Sequence, residues 1–243
     1  MRLLVYNIAY GTGTAGGLGT ILNAHRYIRT KSLFLNRITR FIDSSNADVA
    51  GLVEIDTGSF RTGFLDQTGF IASKLKNYTH CGVKYGENSI GRYIPILRKQ
   101  ANAFFTRHEA VQANAYYFPT GFKKLILELN IGGIRFFLVH LALKQKVREE
   151  QLNYLTKIAA INPGPVIIAG DFNTFGGNAE TEKIMEALDL YDPNLEQLPT
   201  FPSSSPKFQL DHVLCSKSIR TIDFKIPQIE CSDHLPIIFD FEY

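Results

Sequence analysis

The sequence of 243 residues contains no tryptophan, only two methionines and only three cysteines. Cys81, Cys215 and Cys231 are far apart and form no C-x-x-C pair, which argues against a zinc site or a disulfide framework. No apolar run approaches the roughly 20 residues of a membrane span, and no signal-peptide pattern opens the chain. The net charge of +3 does not indicate a strongly basic surface. We therefore expect a cytoplasmic protein that folds as one domain over residues 1–243.

Short apolar runs alternate with amphipathic segments along the whole chain, which predicts a mixed α/β sandwich. The predicted strands are Leu3–Asn7, Val49–Glu54, Asn102–Thr106, Leu125–Asn130, Ile134–His140, Val166–Ala169, Leu210–Cys215 and Leu235–Phe239. The predicted helices are Lys31–Asp43, Phe70–Leu75, Lys146–Ala159 and Ala179–Leu188. Gly132 and Gly133 separate two of the strands and predict a hairpin.

Residues 11–16 read G-T-G-T-A-G and match the G-x-G-x-x-G pattern of dinucleotide-binding turns. No helix pattern opens on the third glycine, and no acidic residue follows at the spacing that holds a ribose. A glycine loop, either beside the active site or elsewhere on the surface, is the better interpretation of this segment.

Polar residues follow several of the apolar runs, so the strands can bring them to one rim. Asp171 and Asn173 follow a strand that its composition predicts to be buried on both faces, and Gly170 would permit a sharp turn. On an extended stretch the spacing of Asp171 and Asn173 aims both side chains the same way. Asp and Asn are also common turn formers, so this pair alone is only moderately specific.

Acids and histidines also lie at three other strand ends. Glu54 ends an apolar run, where it either binds a metal ion or simply reaches solvent. His140 closes another strand, where structural histidines are common. Asp211 and His234 lie near the C-terminus, and an aspartate placed beside a histidine fixes its tautomer and stabilises its charge. Together these groups suit a divalent metal ion and a hydrolytic water.

These motifs, in this order, resemble those of the endonuclease/exonuclease/phosphatase superfamily, also called the DNase I-like fold, over nearly the whole chain. The matching segments are the first-strand Asn7, the metal-binding Glu54, the Asn102-Ala103-Phe104-Phe105 strand, His140-Leu141 with Arg148 and Gln151, Gly170-Asp171-Phe172-Asn173, Leu210-Asp211-His212 and Ser232-Asp233-His234-Leu235-Pro236. Two positions depart from the family pattern, because Val53 replaces the usual glutamine and Ala101 replaces a glycine. The resemblance is closest to uncharacterised bacterial branches.

The resemblance implies a four-layer α/β sandwich of two facing mixed β-sheets flanked by helices, with the site at their shared edge. It implies that Glu54, Asn7 and Asp233 hold Mg²⁺ or Mn²⁺. Asp171 and Asn173 would position the attacking water. His234, oriented by Asp211, would act as a base or bind the phosphate, and His140 would donate to the phosphate or to the leaving oxygen.

The resemblance also bears on substrate contacts, with Asn102, Lys144 and Arg148 as the expected substrate-binding residues. Lys84 and Lys99 are further candidates for anion contacts, although each is individually explained as a solvated side chain. Tyr85 and Tyr93 are candidates for the tyrosine that abasic-site nucleases use. Asn7-Ile8-Ala9 lacks the Asn-x-Asp of those nucleases, and the absence of tryptophan adds slight weight against DNA repair.

We therefore predict a metal-dependent phosphodiesterase acting on DNA, RNA or another phosphodiester. The alternatives are a sphingomyelinase-like hydrolase of lipid head groups, another small phosphoesterase, or a catalytically inactive binding scaffold. We expect a monomer with no obligate protein partner.

Overall fold

The computed structural model describes residues 1–13, 32–85, 90–95, 97–110, 112–122 and 124–243. The strands are β1 (Arg2–Asn7), β2 (Val49–Asp56), β3 (Tyr78–Val83), β4 (Gln100–Thr106), β5 (Gln112–Tyr117), β6 (Leu125–Ile131), β7 (Ile134–His140), β8 (Val166–Asp171), β9 (Leu190–Tyr191), β10 (Asp211–Ser216), β11 (Arg220–Lys225) and β12 (Ile237–Glu242). The α-helices are α1 (Ser32–Ser45), α2 (Gln67–Leu75), α3 (Gln145–Ala159) and α4 (Ala179–Leu188). Short 3₁₀ turns cover Ala9–Gly11, Phe60–Thr62, Ile90–Tyr93 and Leu97–Lys99.

The strands form two six-stranded mixed sheets, ordered β11-β12-β1-β2-β4-β3 and β5-β6-β7-β8-β10-β9. Each sheet contains one parallel pair, β1 with β2 and β7 with β8, and the other pairings are antiparallel. A helix lies between the two strands of each parallel pair, as parallel connections require.

Three apolar clusters join the layers. The central cluster lies between the inner faces of the two sheets and includes Leu3, Phe104, Leu138 and Phe239. A second cluster packs the first sheet against α1 and α2, and a third packs the second sheet against α3 and α4. The result is a helix–sheet–sheet–helix stack, so the predicted sandwich of two mixed sheets with flanking helices is confirmed.

The sequence prediction missed strands β3, β5, β9 and β11, which are the four edge strands of the two sheets. It also ended β2 at Glu54, whereas the strand continues through Asp56. Predicted helix residue Lys31 and residues 14–16 of the glycine segment lie outside the described residues. None of the helices within the described ranges is long and apolar enough to cross a membrane.

Candidate active site

Two strand ends, one from each sheet, meet at the centre of the site. Asn7 ends β1 and Asp171 ends β8, and the Asn7 Nδ2 donates a hydrogen bond of 3.0 Å to Asp171 Oδ2. Both side chains are buried, with relative exposures of 3% and 1%. The Asn7 Oδ1 accepts from the Ala9 amide at 3.1 Å, which fixes the orientation of the side-chain amide. Asn7 of the first sheet therefore provides a hydrogen-bond donor to Asp171 of the second sheet.

Glu54 lies in an irregularity of β2, where the pairing with β4 shifts register between Leu52 and Ile55. Its φ of 58° is left-handed, which a glutamate adopts rarely, and the bulge aims the carboxylate toward the second sheet. Glu54 Oε1 lies 3.7 Å from His140 Nδ1, so this pair joins the sheets as Asn7 and Asp171 do. The register shift, and not the end of the strand, positions Glu54.

His140 is buried between Lys84 and Asp171. Lys84 Nζ lies 3.2 Å from His140 Nδ1, and His140 Nε2 lies 3.2 Å from Asp171 Oδ2. Because an ammonium group only donates, Nδ1 acts as the acceptor and the proton is assigned to Nε2. His140 therefore presents an N–H group toward Asp171 and the substrate side of the site.

The segment after β8 is not the extended stretch that the Asp171–Asn173 spacing suggested. Asn173 has a left-handed φ of 54°, and its amide donates to Asp171 Oδ1 at 2.9 Å. Its Nδ2 donates to the Leu141 carbonyl at 3.0 Å, which ties the loop to the end of β7. Gly170 lies within β8 and makes no turn. A Cβ there would lie 2.0 Å from the Val139 carbonyl oxygen, so the glycine permits close approach of two strands.

His234 and Asp211 form a buried dyad, with Nδ1 and Oδ2 2.7 Å apart. Thr200 donates to the same Asp211 oxygen at 2.6 Å, and His234 Nε2 lies 3.9 Å from Asp171 Oδ2. Burial opposes charge on the imidazole, but Asp211 and Asp171 outweigh it and raise the pKa of His234 to about 10. Burial also raises the pKa of Asp211. The dyad therefore retains a proton at neutral pH and presents a donor next to Asp171.

The comparisons with known proteins agree with this geometry. The model of the Endonuclease/Exonuclease/phosphatase family matches residues 4–234. The chain belongs to this family. The match spans both sheets and contains Asn7, Glu54, His140, Asp171 and His234, so the relationship suggested by the sequence motifs is confirmed.

Individual relatives within the endonuclease/exonuclease/phosphatase family are distant. A UPF0294 protein of Vibrio vulnificus is 32% identical over 99 residues, which is 38% of this chain and 33% of that protein. An endonuclease/exonuclease/phosphatase from Beutenbergia cavernae superposes with a TM-score of 0.75 at 18% identity, covering 99% of this chain and 71% of that one. A mannosyl-6-phosphatase of Bacteroides thetaiotaomicron gives 0.71 at 14% identity, covering 100% of both chains. The solved structures establish the fold alone.

Two groups of family-motif residues offer oxygen or nitrogen ligands to a metal ion. Asp171, Asp211 and His234 place ligand atoms within 4.8 Å of one another, a group that could bind a metal. Its histidine offers nitrogen, and Mg²⁺ and Mn²⁺ prefer oxygen ligands; His234 Nδ1 also lies 2.7 Å from Asp211 Oδ2. Glu54 and Asp233 form the second group. Burial raises the pKa of Asp233; the charge of His234 opposes this shift, and the Glu54 carboxylate adds to it. A divalent cation relieves such repulsion, so Glu54, Asp233 and the Asn7 amide fit Mg²⁺ or Mn²⁺ better.

The predicted substrate-binding residues occupy three different environments. Asn102 is fully buried behind Glu54, where its Oδ1 accepts from the Glu54 amide at 3.4 Å. Its Nδ2 is buried and has no hydrogen-bond partner among the described residues. Lys144 is exposed at the N-cap of α3, and no hydrogen bond or ion pair connects it to the site within those residues.

Arg148, whose contact with substrate stays a prediction, is bonded to other groups of the protein in this structure. The guanidinium is 2% exposed and makes four hydrogen bonds, two to the Glu180 carboxylate and one each to the Ala142 and Leu143 carbonyls. These bonds use four of its five donors, so Arg148 is a structural link between α3, α4 and the end of β7.

Three exposed or half-buried phenylalanines border the dyad. Phe201 lies against His234, with ring centroids 4.9 Å apart. Phe175 contacts both Phe201 and Phe208, at centroid distances of 6.0 and 5.5 Å. Phe175 and Phe208 are 43% and 42% exposed, so the site has an apolar wall that solvent or a substrate can reach. We call Phe175, Phe201 and Phe208 the aromatic wall.

Sequence reasoning missed several residues that complete the site. Arg61 and Lys84 both lie against the Tyr10 ring, and no motif marks Tyr10 or Arg61. Thr200, which orients Asp211 by donating to its Oδ2, was also not among the predicted site residues. Of the two tyrosine candidates, Tyr85 is 8% exposed and near Glu54, whereas Tyr93 is 80% exposed.

Proposed function

We propose that this protein is a divalent-metal-dependent phosphoester hydrolase that acts on phosphodiesters, in nucleic acid or in another diester. The observation that carries the proposal is the environment of Asp171. Its Oδ2 lies 3.0 Å from Asn7 Nδ2, 3.2 Å from His140 Nε2 and 3.9 Å from His234 Nε2. A buried carboxylate surrounded by directed donors suits the activation of a water molecule beside a phosphoryl group.

Each residue of the site has its own role in the proposed reaction. Asp171 orients a water and accepts its proton as the water oxygen bonds to phosphorus. The second N–H of Asn7 Nδ2, whose first N–H donates to Asp171, and the Nε2–H of His140, shared between Asp171 and the substrate, donate to the phosphoryl oxygens. As the ester P–O bond breaks, the His234 imidazolium gives its proton to the leaving oxygen, and Asp211 stabilises the charge that His234 carries before transfer. Transfer of the proton from Asp171 back to His234 restores the starting state.

Glu54, with Asn7 and Asp233, would hold Mg²⁺ or Mn²⁺. When bound, the ion would neutralise negative charge on the phosphoryl and leaving oxygens. The donor set supports this assignment, since it consists of two carboxylates whose repulsion a cation removes and a buried amide. We further propose that the enzyme works as a monomer.

The aromatic wall favours a substrate with an apolar or aromatic group next to the phosphate, since Phe201 lies against His234 and the exposed Phe175 ring extends the wall from Phe201 to Phe208. Bases stack on such rings, which supports nucleic acid or nucleotides as substrates. The alternative substrates are a lipid head group and a sugar phosphate. Because the chain is similar in fold to a mannosyl-6-phosphatase, the experiment below also includes a phosphomonoester.

The test is nicking of supercoiled plasmid in Mg²⁺ and in Mn²⁺, run beside bis-p-nitrophenyl phosphate, p-nitrophenyl phosphate and sphingomyelin vesicles. We expect Asp171→Ala and a chelator each to abolish hydrolysis, with the circular dichroism spectrum of the variant unchanged. Asp189→Asn is the matched control, because Asp189 is an exposed helix C-cap that asparagine also suits. Near-wild-type activity in Asp171→Ala would contradict the mechanism. Absence of turnover on all four substrates would favour a binding scaffold.

A further inference from the structure

His212, the second residue of β10, is a buried histidine to which the proposed reaction gives no role. Its Nε2 lies 2.9 Å from Thr174 Oγ1, in the loop that follows β8. Its ring also packs edge-on against Phe172, with the ring centroids 5.2 Å apart. One imidazole on the neighbouring strand therefore contacts two residues of the active-site loop, Phe172 before Asn173 and Thr174 after it.

The hydrogen bonds of Thr174 assign the direction of the contact with His212. The Thr174 hydroxyl donates to the Gln209 carbonyl at 3.1 Å. A hydroxyl has one hydrogen, and with that hydrogen on the carbonyl the bond from His212 is donated by Nε2–H. Thr174 is 2% exposed, which shields both bonds from bulk water. Residues 209 and 212 together hold this one side chain of the loop.

Asp192 holds the imidazole from its other nitrogen. His212 Nδ1 lies 3.1 Å from Asp192 Oδ2, and Gln209 Nε2 donates to the same carboxylate oxygen at 2.9 Å. The other oxygen, Oδ1, accepts from the Asn194 amide at 2.8 Å, so the carboxylate is itself fixed. A carboxylate at Nδ1 and a hydroxyl at Nε2 define one orientation of the ring. The three side chains Asp192, His212 and Thr174 thus connect the end of β9 to the active-site loop.

The loop needs this support because of the conformation of Asn173. Its φ of 54° is left-handed, which residues with a Cβ adopt rarely. In this conformation its amide donates to Asp171 Oδ1 at 2.9 Å, and Oδ2 then faces Asn7, His140 and His234. The amide of Asn173 therefore sets the rotation of the carboxylate that accepts a proton in the proposed reaction.

We propose that His212, held by Asp192, is a positioning residue for this reaction. Through Thr174 it keeps Asn173 in the left-handed conformation that orients Asp171, and it acts on the chemistry only through the loop. The inference rests on the proposed function for the role of Asp171, but the restraint on the loop is measurable without turnover.

Restraint of the loop is tested first, by amide hydrogen exchange and mass spectrometry of the peptide covering residues 171–177. Three amides of this peptide are bonded within the loop, those of Asn173, Phe175 and Gly177. Thr174→Val removes the hydroxyl and keeps the shape of the side chain, so we expect exchange about tenfold faster. Thr174→Ser should restore the exchange rate of wild type, because it keeps the hydroxyl.

The matched control is Thr39→Val. Thr39 is also a buried threonine, and its hydroxyl donates to the Leu35 carbonyl within α1. It should leave exchange of the loop unchanged. Exchange of the β2 peptide should be unchanged in every variant, which separates a local release of the loop from general destabilisation. Unchanged loop exchange in Thr174→Val would overturn the inference.

Two substitutions of His212 separate the roles of its nitrogens. Glutamine places an amide nitrogen near the position of Nε2 and can still donate to Thr174, whereas asparagine is shorter and can reach only Asp192. We expect loop exchange near that of wild type in His212→Gln and as fast in His212→Asn as in Thr174→Val. Adding Thr174→Val to His212→Asn should then change little, because both remove the same bond. Equal exchange in the two His212 variants, or additive effects in the double variant, would contradict the assignment.

Turnover tests the consequence for the reaction. On bis-p-nitrophenyl phosphate we expect Thr174→Val to lower kcat by about tenfold or more and to change KM by less than about twofold, because a rotated Asp171 still permits binding. Thr174→Ser should keep the kcat of wild type. Faster loop exchange with unchanged kcat would overturn the positioning role. The exchange results do not depend on catalysis, so they are distinct from a failure of the proposed hydrolase, which absence of turnover in wild type would show.

Discussion

At the scale of single residues, the site is built on backbone conformations that side chains normally avoid. Glu54, Asn173 and Tyr10 all have left-handed φ values, and each lies at or beside the candidate active site. Such conformations cost of order 1–3 kcal/mol each and persist where the surroundings enforce them. Here the enforcing contacts are the β2 bulge, the Asp171 and Leu141 oxygens that bind Asn173, and the Gln67 amide on Tyr10.

Replacing Gly170 should strongly destabilise the fold, although Gly170 has no role in the proposed reaction. We expect Gly170→Ala to lower the free energy of unfolding by about 3 kcal/mol or more, because its φ is 136° and the new methyl would overlap the Val139 carbonyl. Urea unfolding followed by circular dichroism measures the loss.

The matched control is Gly132→Ala in the β6–β7 turn. Its φ of 59° is also left-handed, but nothing lies within 4 Å of the added Cβ. The free energy of unfolding of this variant should therefore fall by only about 1 kcal/mol, which is the cost of placing a residue with a Cβ in a left-handed conformation. Equal losses in both variants would show that backbone conformation, and not the close approach of β7 and β8, dominates at Gly170.

The sequence predicted which site residues lie near one another, but it predicted less well the contacts and backbone conformations that position them. Order along the chain and strand-end placement were enough to bring Asp171, Asp211 and His234 together, and the structure puts them in contact. Arg61 could not be found this way. It follows β2 in a turn formed by hydrogen bonds to Asp56 and Ser59, and its meeting with Tyr10 depends on tertiary contacts that leave no local pattern.

At the scale of elements, the four missed strands share one property, which is that each lies at the edge of a sheet. An edge strand pairs on one side only, and β3, β5 and β11 are exposed or half-buried along most of their length. Their sequences therefore lack the apolar run that predicted β7 and β8. Among the twelve strands described, the sequence predicted all eight interior ones, because these strands carry the apolar residues of the core.

The C-terminus of α3 is anchored to the second sheet through a buried ion pair. Arg135 Nε donates to Glu128 Oε1 at 2.7 Å, and its Nη1 donates to the carbonyls of Ala159 and Asn162 at 2.8 Å. Both charged side chains are about nine-tenths buried or more. Arg135 thus satisfies carbonyls at the end of the helix, and Glu128 neutralises the charge that does so.

Removing the charge of Glu128 should loosen this anchor in a pH-dependent way. Burial alone would raise the pKa of Glu128, but hydrogen bonds from Asn114, Arg135 and Tyr116 outweigh it and lower that pKa. Stabilisation from a lowered carboxyl pKa is complete above the unfolded value of about 4.3 and is lost as the pH falls through the folded value. At pH 7 we expect the free energy of unfolding of Glu128→Gln to be about 3 kcal/mol lower than that of wild type. Below about pH 4 this difference should become smaller.

Urea titrations at pH 7 and at pH 3.5 measure the Glu128 effect, with the exposed Glu150→Gln as control. A constant difference at both values would mean that packing, and not the carboxylate charge, supports the helix end.

At the scale of the whole molecule, a metal ion in the proposed position should stabilise the folded protein. A ligand at 100 times its Kd adds about 2.7 kcal/mol to the free energy of unfolding. We expect saturating Mg²⁺ or Mn²⁺ to raise the melting temperature of wild type and to have little effect on Glu54→Gln. The exposed Glu186→Gln should respond as wild type does. An equal rise in Glu54→Gln would place the ion elsewhere, with the Asp171, Asp211 and His234 group as the first alternative.

The two sheets are arranged as counterparts. Each has six strands with its parallel pair at the centre, and the ends of those pairs supply Asn7 and the Glu54 bulge from one sheet and His140 and Asp171 from the other. The contacts run crosswise, from Asn7 to Asp171 and from Glu54 to His140. Each sheet thus contributes half of the candidate active site, and neither half brings these residues together alone. If the protein is the hydrolase proposed above, a refolding chain that has regained its secondary structure stays inactive until the two sheets pack against each other.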